Sequence, residues 1–157
     1  MRGVAEVRRN ALDTPRDSGL EMNAEALRAY LAEVFPQVDT DVYQLETVTP
    51  EHAIVRLTAG YEQLRPGGTV SGPTMMALAD YALYAAILSR IGPVALAVTT
   101  SLSFNFLRKP EPGDLLGVCR LMKLGRRLAV GEVSIAETLD APPVCHAVGT
   151  YSIPAER

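Results

Sequence analysis

The chain has 157 residues, of which 48% are hydrophobic and 21% charged, which is enough for one domain with a real core and excludes a disordered tail. A formal net charge of −3 gives no global electrostatic case for a nucleic-acid or acidic-membrane partner. The two histidines, His52 and His146, lack a second ligand at helical or hairpin spacing, and Cys119 and Cys145 lack CxxC spacing, so no metal centre is expected and both cysteines read as reduced and structural.

The first segment, residues 1–20, is charged and has no apolar run of signal-peptide length. It reads as a disordered lead-in to a single domain over residues 21–157, with a cytoplasmic location expected. Asn23 to Phe35 carries Leu27, Tyr30, Leu31 and Val34 on one face of a helix, with Asn23 as its N-cap and Pro36 as its stop. Strands are predicted over 41–48 and 53–59, joined by a turn at Thr49-Pro50-Glu51. A Pro/Gly loop follows, from Leu64 to Pro73. Pro73 suits the first turn of a helix, which then runs to about Ile91 and ends at Gly92-Pro93.

From Pro73 to Ser89 the only charge is Asp80. That length approaches a membrane span, but a carboxylate in its middle is costly in lipid, so the segment reads as a core helix buried on most faces. After it the period changes to two. Val94, Leu96, Val98, Thr100, Leu102, Phe104 and Phe106 fall on one face of a long strand, and Ala95, Ala97, Thr99, Ser101, Ser103 and Asn105 on the other. Strands over 115–124, 128–138 and 144–153, with short turns between them, predict an antiparallel meander. One apolar helix flanked by strands predicts an α+β fold in which an antiparallel sheet curls around that central helix.

The stretches GGTVSGPTMMALAD (67–80), FLRKPEPGDLL (106–116) and KLGRRLAVGEVSI (123–135) resemble the hotdog-fold thioesterases. Within them the resemblance is to the phenylacetate-pathway (PaaI-type) family, related to the 4-hydroxybenzoyl-CoA thioesterases, and it covers about Thr40 to Ile153. The family's pattern places a glycine at Gly72 and a catalytic acid at Asp80. Ser71 stands where the family has histidine, Pro73 where it has a second glycine, and Arg65 where it has an upstream amide.

The resemblance implies an acyl-CoA thioesterase with no cofactor, coenzyme A being part of the substrate. Asp80 would activate water or attack the thioester, and the Gly72 N–H, at the positive end of the helix dipole, would polarise the carbonyl. Arg65, Ser71 and Thr99 are candidate assisting residues. Tyr84, one turn beyond Asp80, and Met76 are candidate acyl contacts, and Arg126 and Arg127 candidate partners for the coenzyme's phosphates. Gly72 and Asp80 are eight residues apart, roughly 12 Å along a helix, so the two cannot meet at one carbonyl within a single chain. A homodimer or dimer of dimers follows, each site composed from two subunits. The alternative is a non-catalytic acyl-CoA binding or sensing protein on the same fold.

Overall fold

The structure, a computed structural model, describes residues 19–155. The expected lead-in lies outside the described residues except for Gly19 and Leu20. Helix α1 is Ala24–Val34, and the Asn23 side chain caps it by accepting from the Ala26 N–H at 2.9 Å. Strands β1, Tyr43–Val48, and β2, Ala53–Leu57, form the first hairpin. The predicted Pro/Gly loop contains a small ribbon of β3, Leu64–Arg65, and β4, Thr69–Val70. Helix α2 spans Gly72–Ile91 and is followed by β5, Val98–Phe106, β6, Leu115–Leu124, β7, Leu128–Ala136, and β8, Cys145–Ser152.

Six strands make one antiparallel sheet in the order β1-β2-β6-β7-β8-β5. The predicted meander is therefore present as β6-β7-β8. Strand β5 precedes β6 in the chain but lies at the far edge, beside β8. The chain crosses from that edge to the sheet's middle through the loop at 107–114, where Arg108 forms a two-pronged ion pair with Glu137 and also donates to the Pro142 carbonyl. The pair draws the Glu137 carboxyl down to about 2, chiefly through the hydrogen bonds from Arg108.

Helix α2 packs across the sheet's inner face. Every residue from Tyr81 to Ser89 is buried, more than two full turns, so all sides of the second half of the helix are covered, whereas Pro73, Met76 and Ala77 in the first half are exposed. The close approach is made at glycines. Gly131 on β7 and Gly149 on β8 are register partners, and Leu83 of α2 rests over both. Leu27, Tyr30 and Leu31 of α1 join the same core. Among the described residues no buried side-chain polar atom lacks a hydrogen-bond partner, and no helix is long and apolar enough to cross a membrane.

Strand β5 departs from the simple alternation read off its sequence. It begins at Val98 rather than Val94, because residues 94–97 form a turn closed by the Ala97 N–H on the Val94 carbonyl, 3.1 Å. Its pairing with β8 then shifts between Thr99 and Ser101. That bulge exchanges the faces: Val98 is turned outward, 57% exposed, while Thr99 points inward at α2.

Candidate active site

Helix α2 starts where Ser71 caps it. The Ser71 side chain accepts from the Thr74 N–H at 3.3 Å, and its hydroxyl lies 2.8 Å from that of Thr74. Ser71 is thus occupied in holding the helix start. Gly72 and Pro73 occupy the first two helical positions, so the Gly72 N–H is among the donors that a helix leaves unpaired at its N-terminus. Gly72 lies against the ring of Phe106, at the end of β5.

Two turns further on, Asp80 is half-buried and held by two donors. The Thr99 hydroxyl donates to Asp80 Oδ1 at 2.7 Å, and the Tyr151 hydroxyl donates to the same oxygen at 2.5 Å. The Tyr151 hydroxyl also lies 3.1 Å from the Asp80 backbone carbonyl. Thr99 and Tyr151 face each other directly in the β5–β8 ladder, so the two donors come from one register pair. Burial, and then the hydrogen bond to Asp80, push the Tyr151 phenol far above its ordinary value, which keeps it protonated and able to donate.

Asp80 opens into a cleft of about 380 Å³ between α2, the end of α1 and the start of β5. Phe35, Tyr81, Tyr84, Ala97, Thr99 and Tyr151 line it, and Asp80 is the one charged side chain among the lining residues. Tyr84 is 7% exposed, stacks with Tyr151 at 6.3 Å and meets Phe35 edge-on at 5.9 Å. Its hydroxyl donates to the Ala95 carbonyl at 2.9 Å, and burial pushes it up to about 12, so it is a neutral wall of the cleft. No histidine or cysteine lines the cleft: His52 hydrogen-bonds Thr49, His146 pairs with Glu132 at 3.0 Å, and Cys119 and Cys145 are buried in the sheet. Burial raises Cys119 to about 12 and Cys145 to about 11, so both stay thiols near neutral pH.

The structure thus gathers Asp80, Thr99 and Tyr84 of the sequence-derived residues around one cleft. Met76 lies one turn before Asp80, 40% exposed, and does not line it. Gly72, Ser71 and Arg65 sit at the other end of the helix or in the ribbon before it. Arg126 and Arg127 lie in the β6–β7 turn, where Arg127 Nε donates to the Ile153 carbonyl at 3.2 Å. Tyr151 was missed by sequence reasoning. Its signal was the inward row Cys145, Ala147, Gly149 and Tyr151, small residues ending in one large ring with a hydroxyl.

The sequence profile of the thioesterase superfamily matches residues 67–137. A protein of Silicibacter sp. TM1040, provisionally described as a thioesterase, has a solved structure 46% identical to this chain; the match covers 88% of this chain and 96% of that one, with a TM-score of 0.80. The chain belongs to the thioesterase superfamily. Its architecture is the hotdog fold expected from the resemblance. A variant of the phenylacetic acid degradation protein PaaI from Thermus thermophilus is 25% identical, with 76% of this chain and 99% of that one covered and a TM-score of 0.65. Zebrafish thioesterase superfamily member 2, 16% identical and 96% covered on both sides with a TM-score of 0.66, shares the fold. No curated protein compared with the chain matches it. In this thioesterase-superfamily chain the profile's span contains Gly72, Asp80 and Thr99 and ends before Tyr151.

Proposed function

We propose that the protein is an acyl-CoA thioesterase that works as a homodimer, with Asp80 as the group that activates water. The observation that carries this is the single carboxylate in an otherwise uncharged cleft, with one oxygen held by two hydroxyls and the other left for chemistry. In the proposed step Asp80 takes a proton from water as the water oxygen bonds to the thioester carbonyl carbon. The negative charge passes to the carbonyl oxygen, where the N–H of Gly72 of the partner subunit stabilises it. Collapse breaks the carbon–sulfur bond, and the departing thiolate recovers the proton, giving a carboxylic acid and free coenzyme A.

The composite site is supported by the sheet's edges. At β1 the edge is blunted, since Arg28 of α1 donates to the Leu45 carbonyl at 2.9 Å. Among the described strands β5 pairs with β8 alone; it carries the outward Val98, and its end presents Phe106, whose ring lies against Gly72, with Leu107 just beyond, the three 57, 50 and 55% exposed. An open apolar edge invites a second strand. Gly72 lies near one end of β5 and Asp80 near the other, so an antiparallel copy alongside β5 would bring each acid to the other subunit's helix start. Arg65, in the exposed ribbon before the helix, would add a second donor, and Arg126 and Arg127 would meet the coenzyme's phosphates. The free, buried cysteines support a reducing, cytoplasmic setting.

The test is thiol release from short, medium, long and aromatic acyl-CoAs by the wild type and Asp80→Asn. Turnover by the wild type, cut roughly 100-fold or more by the substitution while acyl-CoA still binds, is the expected result. Binding without release by the wild type would replace the enzyme with the non-catalytic acyl-CoA binding protein.

A further inference from the structure

We propose that Tyr151 is the positioning residue of Asp80: its hydroxyl, with that of Thr99, ties Oδ1 and turns Oδ2 to the water that is activated. This deepens the thioesterase reading and rests on it for the meaning of Oδ2. Tyr151 lies on β8, beyond the segment that the superfamily profile matches.

The geometry argues against a merely packed ring. A hydroxyl on a residue only 3% exposed must have a partner, and a phenylalanine would fill the same space without that demand. Both of its acceptors belong to Asp80, and the nearer is the carboxylate oxygen, 2.5 Å away against 3.1 Å for the backbone carbonyl. Both donors reach one oxygen, at 2.7 and 2.5 Å, so rotation of the carboxylate would break both bonds at once. The tyrosine is itself fixed: its backbone pairs with Thr99 on one side and Ala129 on the other, and its ring stacks on Tyr84, which is anchored to the Ala95 carbonyl. The other titratable groups lining the cleft are Tyr43, Tyr81 and Tyr84, and no cation is among them. The two hydroxyls are therefore what orients the acid.

The deciding variant is Tyr151→Phe, which keeps the ring and removes the donor. The expected result is a fall in kcat of about tenfold or more, with KM for the acyl-CoA unchanged. Thr99→Val should behave alike, and Thr99→Ser, which keeps its hydroxyl, should stay near wild type. An unchanged kcat in Tyr151→Phe would overturn the inference, as would a loss confined to KM.

A second measurement needs neither turnover nor that variant. The Tyr151 hydroxyl proton should be a slowly exchanging, downfield NMR resonance in the wild type that moves upfield in Asp80→Asn. If that resonance is absent or does not move, the contact is not formed and the inference fails. A wild type that releases no thiol would instead remove the enzymatic reading, while the hydroxyl resonance still decides whether Tyr151 holds Asp80.

Discussion

Substituting Gly149 by alanine puts a methyl where the helix has no room for one. A Cβ at this position would lie 2.4 Å from Leu83 Cδ1 and 2.6 Å from Leu102 Cδ2. The first distance is about 1 Å inside ordinary carbon–carbon contact. Leu102 is half-buried on the edge strand and can turn toward solvent. Leu83 is fully buried and has no such exit, because its other methyl already sits 2.7 Å from where a Cβ on Gly131 would be. The helix must lift or Leu83 must leave its rotamer, at a cost of about 1–3 kcal/mol for overpacking. Removing a glycine from the unfolded chain offsets about 0.4–1 kcal/mol of that. The net loss is about 1–2 kcal/mol, or a melting temperature lower by roughly 3–8 °C.

Urea and thermal unfolding of Gly149→Ala measure that loss. The same substitution in a Leu83→Ala background should be neutral or mildly stabilising, giving a coupling of about 1–2 kcal/mol in the double-mutant cycle. Leu83 lies one turn beyond Asp80, so a lifted helix also draws Asp80 away from Thr99 and Tyr151, and thiol release should fall further than the folded fraction explains. A Gly149→Ala protein as stable as the wild type, or a cycle with no coupling, would refute the claim that Leu83 is seated on the paired glycines.

Two further outcomes follow from the same structure. Arg108 holds Glu137 down to about 2 against an ordinary 4.5, so this pair's stabilisation is complete above about 4.5 and is lost as the pH falls toward 2; at neutral pH Glu137→Gln should lose about 1 kcal/mol, a deficit that narrows through that window in urea titrations at stepped pH, whereas a constant deficit would mean that the charge is not responsible. Ser71→Ala should lower stability by about 1 kcal/mol and reduce thiol release by loosening the helix start at Gly72, while Ser71→Asp, which keeps a cap, should hold both near wild type in thermal melts and activity assays.

The parts of the site legible in the sequence are those set by short-range rules. Asp80 stood out because a charge inside seventeen otherwise uncharged residues has no local reason to be there. The helix ends were legible for the same kind of reason: Pro73 is tolerated only near the start, and Gly92, at a φ of 88°, supplies the backbone that other residues adopt with strain. Thr99 was reached through the family resemblance, and alternation alone put it on the face opposite Leu102. The bulge that turns it inward arises from pairing with β8, more than forty residues away, and leaves no mark in the local period. Tyr151 was not reached, because its hydroxyl meets Asp80 only when β8 lies beside β5 under the helix.

By itself, the sequence determined that one buried helix bearing one acid would be wrapped by antiparallel strands, since hydrophobic period, caps and turn residues act over a few positions. Strand order, the β5 bulge and the convergence of Thr99 and Tyr151 on one carboxylate oxygen were decided by tertiary structure. The physical reason is that these depend on which distant faces must bury one another, on where glycines allow close packing, and on which acceptors a buried hydroxyl meets once the strands are paired.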